Sequence, residues 1–173
     1  MGTLFLSGIY GVGKSTLAES LSIATNIPFY SAGDLISERN GEIYGANKVV
    51  SDKNMNQTVL AEQVSNLLLE KNRIILAGHF CIVNQFGQVD KLPEEVFEKI
   101  QIEKIILLEA SANVIISHLV GRDGKDYPTT LIESMLAEER HCAQVTASRL
   151  SCPLIIHKMT YTPSDLDQLL NLI

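Results

Sequence analysis

The run Gly8-Ile9-Tyr10-Gly11-Val12-Gly13-Lys14-Ser15, followed by Thr16, satisfies every fixed position of G-x-x-x-x-G-K-[ST]. An apolar segment, Leu4-Phe5-Leu6, precedes it, and Leu17-Ala18-Glu19-Ser20-Leu21 follows with helix-like patterning. Strand, glycine-rich loop and helix in that order are the setting in which this motif cradles phosphate. The glycines let successive backbone N–H groups turn inward. The helix behind them adds unbonded donors and the positive end of its dipole. Gly8, Tyr10, Gly11, Val12, Gly13, Lys14, Ser15 and Thr16 are therefore the expected phosphate-binding residues. Lys14 is expected to act on the β- and γ-phosphates and the Ser15 hydroxyl to ligate Mg2+.

The rest of the chain alternates short apolar runs with amphipathic ones. Strands are expected at 3–7, 27–30, 73–77, 105–109 and 154–156, each nearly all apolar. Helices are expected at 14–25, 34–40, 53–71, from Pro93, from Ser111 to about 120, from Thr130 to about 150 and from Ser164. In the third of these, Leu60, Val64, Leu67 and Leu68 share one stripe. Thr130 and Glu133 have capping-box spacing, and Ile132, Leu136, Ala143, Ala147 and Leu150 mark the buried face of the helix they open. Residues 81–92 and 121–128 read as loops. Strands buried on both faces and separated by helices imply an α/β fold, a three-layer α/β/α sandwich on a parallel sheet. Ligands of such sheets sit beyond the carboxyl ends of the strands.

A chain of 173 residues without a linker or low-complexity tract reads as a single domain. Its formal net charge of -6 opposes long-range attraction to nucleic acid or to an anionic membrane. No apolar run approaches the length of a membrane span, and the first residues lack the basic segment of a secretory signal. Cys81, Cys142 and Cys152 show no C-x-x-C spacing, as expected of reduced thiols in a cytoplasmic protein. The expected partner is a small molecule, with no nucleic acid and no membrane.

Three further groups lie at positions where chemistry would occur. Ser31-Ala32-Gly33-Asp34 follows the second strand and could receive a second substrate or simply cap a helix. Gly121–Pro128 carries Arg122 and Lys125 between glycines, where cations can fold over a transferring phosphoryl group. Arg140, in Glu138-Glu139-Arg140, could reach the same phosphates or lie on a charged helix face. His79 ends the third strand and could bond phosphate. That strand reads Leu76-Ala77-Gly78-His79, with no acid to hold a metal-bound water, which leaves Glu109 and Asp34 as the acids at the sheet edge. Gly11-x-Gly13 lacks the third glycine of a dinucleotide fingerprint, and Asn47-Lys48-Val49-Val50 fails the last position of a guanine-specifying motif.

With these parts in this order the chain resembles the P-loop nucleoside monophosphate kinase superfamily, most closely the archaeal-type adenylate kinases. The resemblance rests on the Gly8–Ser15 loop and, more weakly, on Ser31-Ala32-Gly33-Asp34, Val50-Ser51-Asp52-Lys53, Ala77-Gly78-His79, Leu107-Leu108-Glu109, Arg122-Asp123 and Arg140. It implies a P-loop NTPase fold with a five-stranded parallel sheet of order 2-3-1-4-5 and Mg2+-bound ATP as phosphoryl donor. It also implies a short lid at about 121–128 and an acceptor-binding segment at about 31–58. The catalytic residues would be Lys14, Arg122 and Arg140. The acceptor would meet Ser31, Gly33, Asp34, Arg39 and His79. The chain departs from the family at Ala77, where the family has Asp, and near Ser37 and Asn56, where it has arginines for the acceptor phosphate.

The expected function is ATP-dependent phosphoryl transfer to a small nucleotide or nucleoside. A nucleotide-binding regulator or slow ATPase is one alternative, and a small-metabolite kinase on the same fold is another. A hydroxyl acceptor would call for a general base, a position Asp34 could fill.

Overall fold

A computed structural model describes residues 2–40, 53–84 and 86–173, without the side chains of residues 39, 40 and 53–55. The elements are β1 (Gly2–Ser7), α1 (Lys14–Thr25), β2 (Phe29–Ser31), α2 (Ala32–Asn40), α3 (Lys53–Glu70), β3 (Arg73–Ala77), β4 (Cys81–Val83), β5 (Val89–Lys91), α4 (Glu94–Lys99), β6 (Ile102–Glu109), α5 (Ala112–Asp123), α6 (Thr129–Leu150), β7 (Leu154–Lys158) and α7 (Ser164–Leu170).

Five strands form one parallel sheet in the order β2-β3-β1-β6-β7. With the small β4–β5 hairpin set aside, this is the order 2-3-1-4-5. Alternation along the strands divides the core in two. Phe5, Ile74, Leu76, Ile105 and Leu107 face a cluster built with α2, α3 and α4. Leu4, Leu6, Ile75, Ile106 and Leu108 face one built with α1, α5 and α7. Helix α6 serves both, with Ile132 and Met135 in the second cluster and Ala143 and Ala147 in the first. From the central β1 the chain passes to the edge strand β2, returns inward through β3, and then crosses to β6 and β7 on the other side. That reversal opens a crevice at the carboxyl end of β1, where the Gly8–Ser15 loop lies.

Four local expectations are corrected. Residues 81–92 contain the antiparallel hairpin β4–β5, because Cys81-Ile82-Val83 finds both a strand partner and the core beneath it. Gly121, Arg122 and Asp123 are the last turn of α5, which ends at Gly124 with φ 64. Helix α2 opens at Ala32 rather than Asp34. The Thr130/Glu133 capping box is absent: α6 starts one residue earlier behind Pro128, with no side-chain cap. Proline's fixed φ and missing N–H suit a helix entry without one.

Candidate active site

The loop after β1 wraps the start of α1. Gly13 is the N-cap of α1 with φ 97, a left-handed conformation that glycine enters without a Cβ penalty. The Lys14 ammonium folds back on this loop, 2.7 Å from the Gly8 carbonyl and 3.0 Å from that of Ile9. His79 Nδ1 lies 2.8 Å from the same Gly8 carbonyl. A carbonyl only accepts, so Nδ1 carries the proton. The 3.4 Å approach of Lys14 Nζ to that nitrogen then sets two donors side by side. The His79 ring rests against Tyr10 with centroids 4.3 Å apart.

A cavity of about 440 Å3 opens over the loop. Tyr10, Gly11, Gly13, Lys14, Ser15 and Thr16 line it together with His118 and Arg122 of α5. Toward β2 and α3 its polar lining is Ser31, Gly33, Asn56 and Gln57, set among Phe5, Ile36, Leu60, Ile82 and Phe97. Gln57 Oε1 is buried there with no hydrogen-bond partner among the described residues. Ala77 also lines the cavity, bringing a methyl group where a strand-end acid would bring oxygen.

On the other side of the loop, His118 Nδ1–H donates to the Gly11 carbonyl at 2.9 Å, and its ring meets Tyr161 edge-on at 4.8 Å. The turn carrying Tyr161 is tied down by Asp165, only 3% exposed, which accepts from the N–H groups of Thr160 and Tyr161 and from His157 Nε2. Burial alone would push the Asp165 carboxyl up. The Thr160 N–H, the His157 ring and the other donors outweigh it and hold the group below the usual carboxylate range.

Arg122 lines the cavity while its guanidinium grips Asp123 at 2.6 and 2.7 Å. Tyr127 donates to the same carboxylate at 2.5 Å. The hydrogen bonds from Arg122 and then Tyr127 hold Asp123 well below the carboxylate range.

Several sequence-predicted residues stand elsewhere. Within the loop, Gly8 and Val12 are buried and do not line the cavity. Asp34 is exposed in the first turn of α2, outside the lining, with its N–H 3.4 Å from Ser31 Oγ, as in a helix cap. Arg140 is exposed and paired with Glu109, so neither is in the lining. The Arg39 side chain and residues 41–52 of the acceptor segment lie outside the described residues.

His118 and Gln57, which line the cavity, and Glu139 behind it were missed from the sequence. Glu139 is 1% exposed and accepts from the N–H groups of Gly8, Phe80 and Cys81. Burial pushes its carboxyl up, against the pull of those N–H groups and of the Lys14 charge. The signal was in the phase of its helix: Ile132, Glu139, Ala143 and Ala147 repeat at helical spacing.

The comparisons with known proteins agree with this geometry. A family model described as an AAA domain matches residues 7–135. The chain is 32% identical over 127 residues to an adenylate kinase of Caldicellulosiruptor bescii, a span covering 69% of this chain and 58% of that protein. It is 24% identical over 113 residues to an adenylate kinase of Thermoplasma volcanium, 64% of this chain and 62% of that one. The chain thus spans less than two thirds of the length of these relatives. Shikimate kinase from Aquifex aeolicus has a TM-score of 0.61 at 20% identity, over 98% of this chain and 95% of that one. A gluconokinase from Sinorhizobium meliloti 1021 has a TM-score of 0.55 at 16% identity, over 99% and 95%. At such identities the likeness is one of fold. The family match runs from the last residue of β1 through the phosphate loop into α6, and on that span the chain belongs to the AAA domain family of P-loop proteins, within the nucleoside monophosphate kinase-like superfamily.

Proposed function

We propose that the protein transfers the γ-phosphoryl group of ATP, bound as its Mg2+ complex, to a small nucleotide or nucleoside. The observation that carries this reading is the continuity of the cavity. Lys14 and Ser15 line the same space as Ser31, Gly33 and Gln57. In-line transfer needs two substrates held end to end with water kept out.

On the donor side, backbone N–H groups of Gly11–Thr16 hold the phosphates. Lys14 exchanges the Gly8 and Ile9 carbonyls for β- and γ-phosphate oxygens. Arg122 offsets negative charge as transfer proceeds. Among the described residues no group of three His, Cys, Asp or Glu could hold a metal. The Ser15 hydroxyl is the group that would hold Mg2+ brought in with the nucleotide. When bound it neutralises charge on the phosphates.

On the acceptor side, apolar walls with a few amide and hydroxyl groups suit a flat heterocycle. The relatives named adenylate kinase support a nucleotide acceptor. A small-metabolite acceptor is the second reading. It is favoured by an acceptor-side lining of neutral side chains among the described residues, and by structural neighbours named shikimate kinase and gluconokinase.

The test is ADP formation from ATP and Mg2+ with AMP, CMP, UMP, dTMP, nucleosides, shikimate and gluconate in turn. Acceptor-dependent ADP with a nucleotide or nucleoside is expected. Turnover of only the hydroxy acids selects the second reading. Acceptor-independent ADP, or none, contradicts phosphoryl transfer.

A further inference from the structure

We infer that Glu139 is the positioning residue that sets Lys14 and His79 for phosphate binding, acting through the main chain at both ends of the site. The inference rests on the proposed triphosphate site.

Three consecutive charges on α6 point three ways. Glu138 pairs with Lys91 and Arg140 with Glu109, both toward the surface. Glu139, between them, is turned inward. Its Oε1 lies 3.0 Å from the Gly8 N–H and 3.0 Å from that of Phe80. Its Oε2 lies 2.9 Å from the Phe80 N–H, 3.0 Å from that of Cys81 and 3.2 Å from the Cys81 thiol. Every one of these partners donates, which satisfies a carboxylate rather than a carboxylic acid.

Burying a carboxylate is costly unless such donors replace its water. The donors come from two segments: Gly8 opens the phosphate loop, and Phe80-Cys81 follows His79 directly. At Gly8 a Cβ would stand 2.8 Å from the Leu108 carbonyl, so the backbone there is already wedged against β6. Glu139 holds the N–H of Gly8, and the carbonyl of the same residue receives both Lys14 and His79. The carboxylate therefore fixes the peptides from which the two cationic or titratable groups hang. A packing role alone would not require both segments to converge on one side chain.

Glu139→Gln is nearly isosteric, yet both carboxylate oxygens face N–H groups. Either amide orientation sets an NH2 against a backbone donor. The measurement is the affinity of a fluorescent methylanthraniloyl-ATP with Mg2+, for wild type, Glu139→Gln, Lys14→Ala and the double variant, each well below its own melting temperature. Glu139→Gln should weaken binding about tenfold, and the double variant should bind as Lys14→Ala does, within twofold, since the two act through one another. Glu138→Gln on the same helix should bind as wild type. If Glu139→Gln does not fold, Glu139→Asp takes its place in the cycle, keeping the charge but withdrawing it from Gly8. Unchanged affinity in the folded variant, or losses that multiply in the double variant, would overturn the inference. Failure of the wild type to bind the probe would instead remove the proposed triphosphate site.

Discussion

Arg140 and Glu109 form a two-point ion pair at the end of β6, with Nε 2.6 Å from Oε1 and Nη2 bonded to Oε2. The pair explains why Arg140 lies outside the cavity while Arg122 lines it. It also raises the Arg140 pKa, through the hydrogen bond to Glu109. Exposed pairs of this kind contribute under about 1 kcal/mol to stability. Arg140→Ala should therefore leave turnover within about threefold of wild type and the urea midpoint nearly unchanged. Arg122→Ala should lower kcat about 100-fold, some 2.7 kcal/mol of barrier. Equal losses in the two variants would mean that Arg140 leaves Glu109 for the phosphates when substrate binds.

Gln57 supplies a test of the acceptor side. Its Oε1 is buried in the cavity wall without a partner among the described residues, and leaving such a group unmet costs about 1–3 kcal/mol. An acceptor that donates an N–H or O–H group to it recovers that cost. Gln57→Leu should raise the KM for the acceptor about tenfold, leave the KM for ATP unchanged, and raise the melting temperature slightly. A lower melting temperature with an unchanged acceptor KM would place Gln57 in the fold rather than the site.

Most of the fold was legible because its pattern is local. Five apolar runs, each next to an amphipathic helix, fix a parallel three-layer sheet, and the phosphate loop marks the strand at its centre. The β4–β5 hairpin was less legible. Each strand is three residues long, and only contact with the core below Cys81 distinguishes them from loop. At the site, the glycine-rich loop at the carboxyl end of β1 was readable from the motif. Partners across the fold were not: Glu139 meets Gly8 from 131 residues away, and nothing near either residue names the other. Read as a charged helix face, Glu138-Glu139-Arg140 concealed the inward residue between two outward ones. Asp34 shows the converse, since a place in the helix turn after a strand does not determine where a side chain points.

The buried acids give stability a pH dependence of two signs. Asp165 has a folded pKa below its unfolded value of about 3.9. Its contribution is present above that value and is lost as pH falls through the folded pKa. Glu139 is raised above its unfolded value of about 4.3, so it favours the fold most below that pH. Its contribution falls as pH rises through the folded pKa and is constant beyond. Urea unfolding between pH 2 and 8 should show Asp165→Asn with a shallower acid limb than wild type, and destabilised by about 2–4 kcal/mol at neutral pH through its lost hydrogen bonds. Glu139→Gln should lose the decline above pH 4. Parallel curves for wild type and both variants would contradict these assignments.

Thiol reactivity reports on the packing of the site from behind. Burial, and then the Glu139 charge, push the Cys81 thiol far above its ordinary pKa. Burial, with help from Glu138, pushes Cys142 up to about 11. Alkylation by iodoacetamide at pH 7.5 should leave Cys81 unmodified until the protein unfolds and should modify Cys142 slowly. Rapid native-state labelling of Cys81 would show that the turn after His79 is open rather than held by Glu139.

In the proposed reaction one cavity joins a triphosphate to an acceptor. The most direct measurement of that reaction follows the label of γ-phosphate-labelled ATP, incubated with Mg2+ and each candidate acceptor, into phosphorylated acceptor and inorganic phosphate. The account predicts that label appears in a nucleotide or nucleoside product faster than in inorganic phosphate, and that Lys14→Ala abolishes this transfer while the protein stays folded. Label released only as inorganic phosphate, at a rate indifferent to every acceptor, would contradict it.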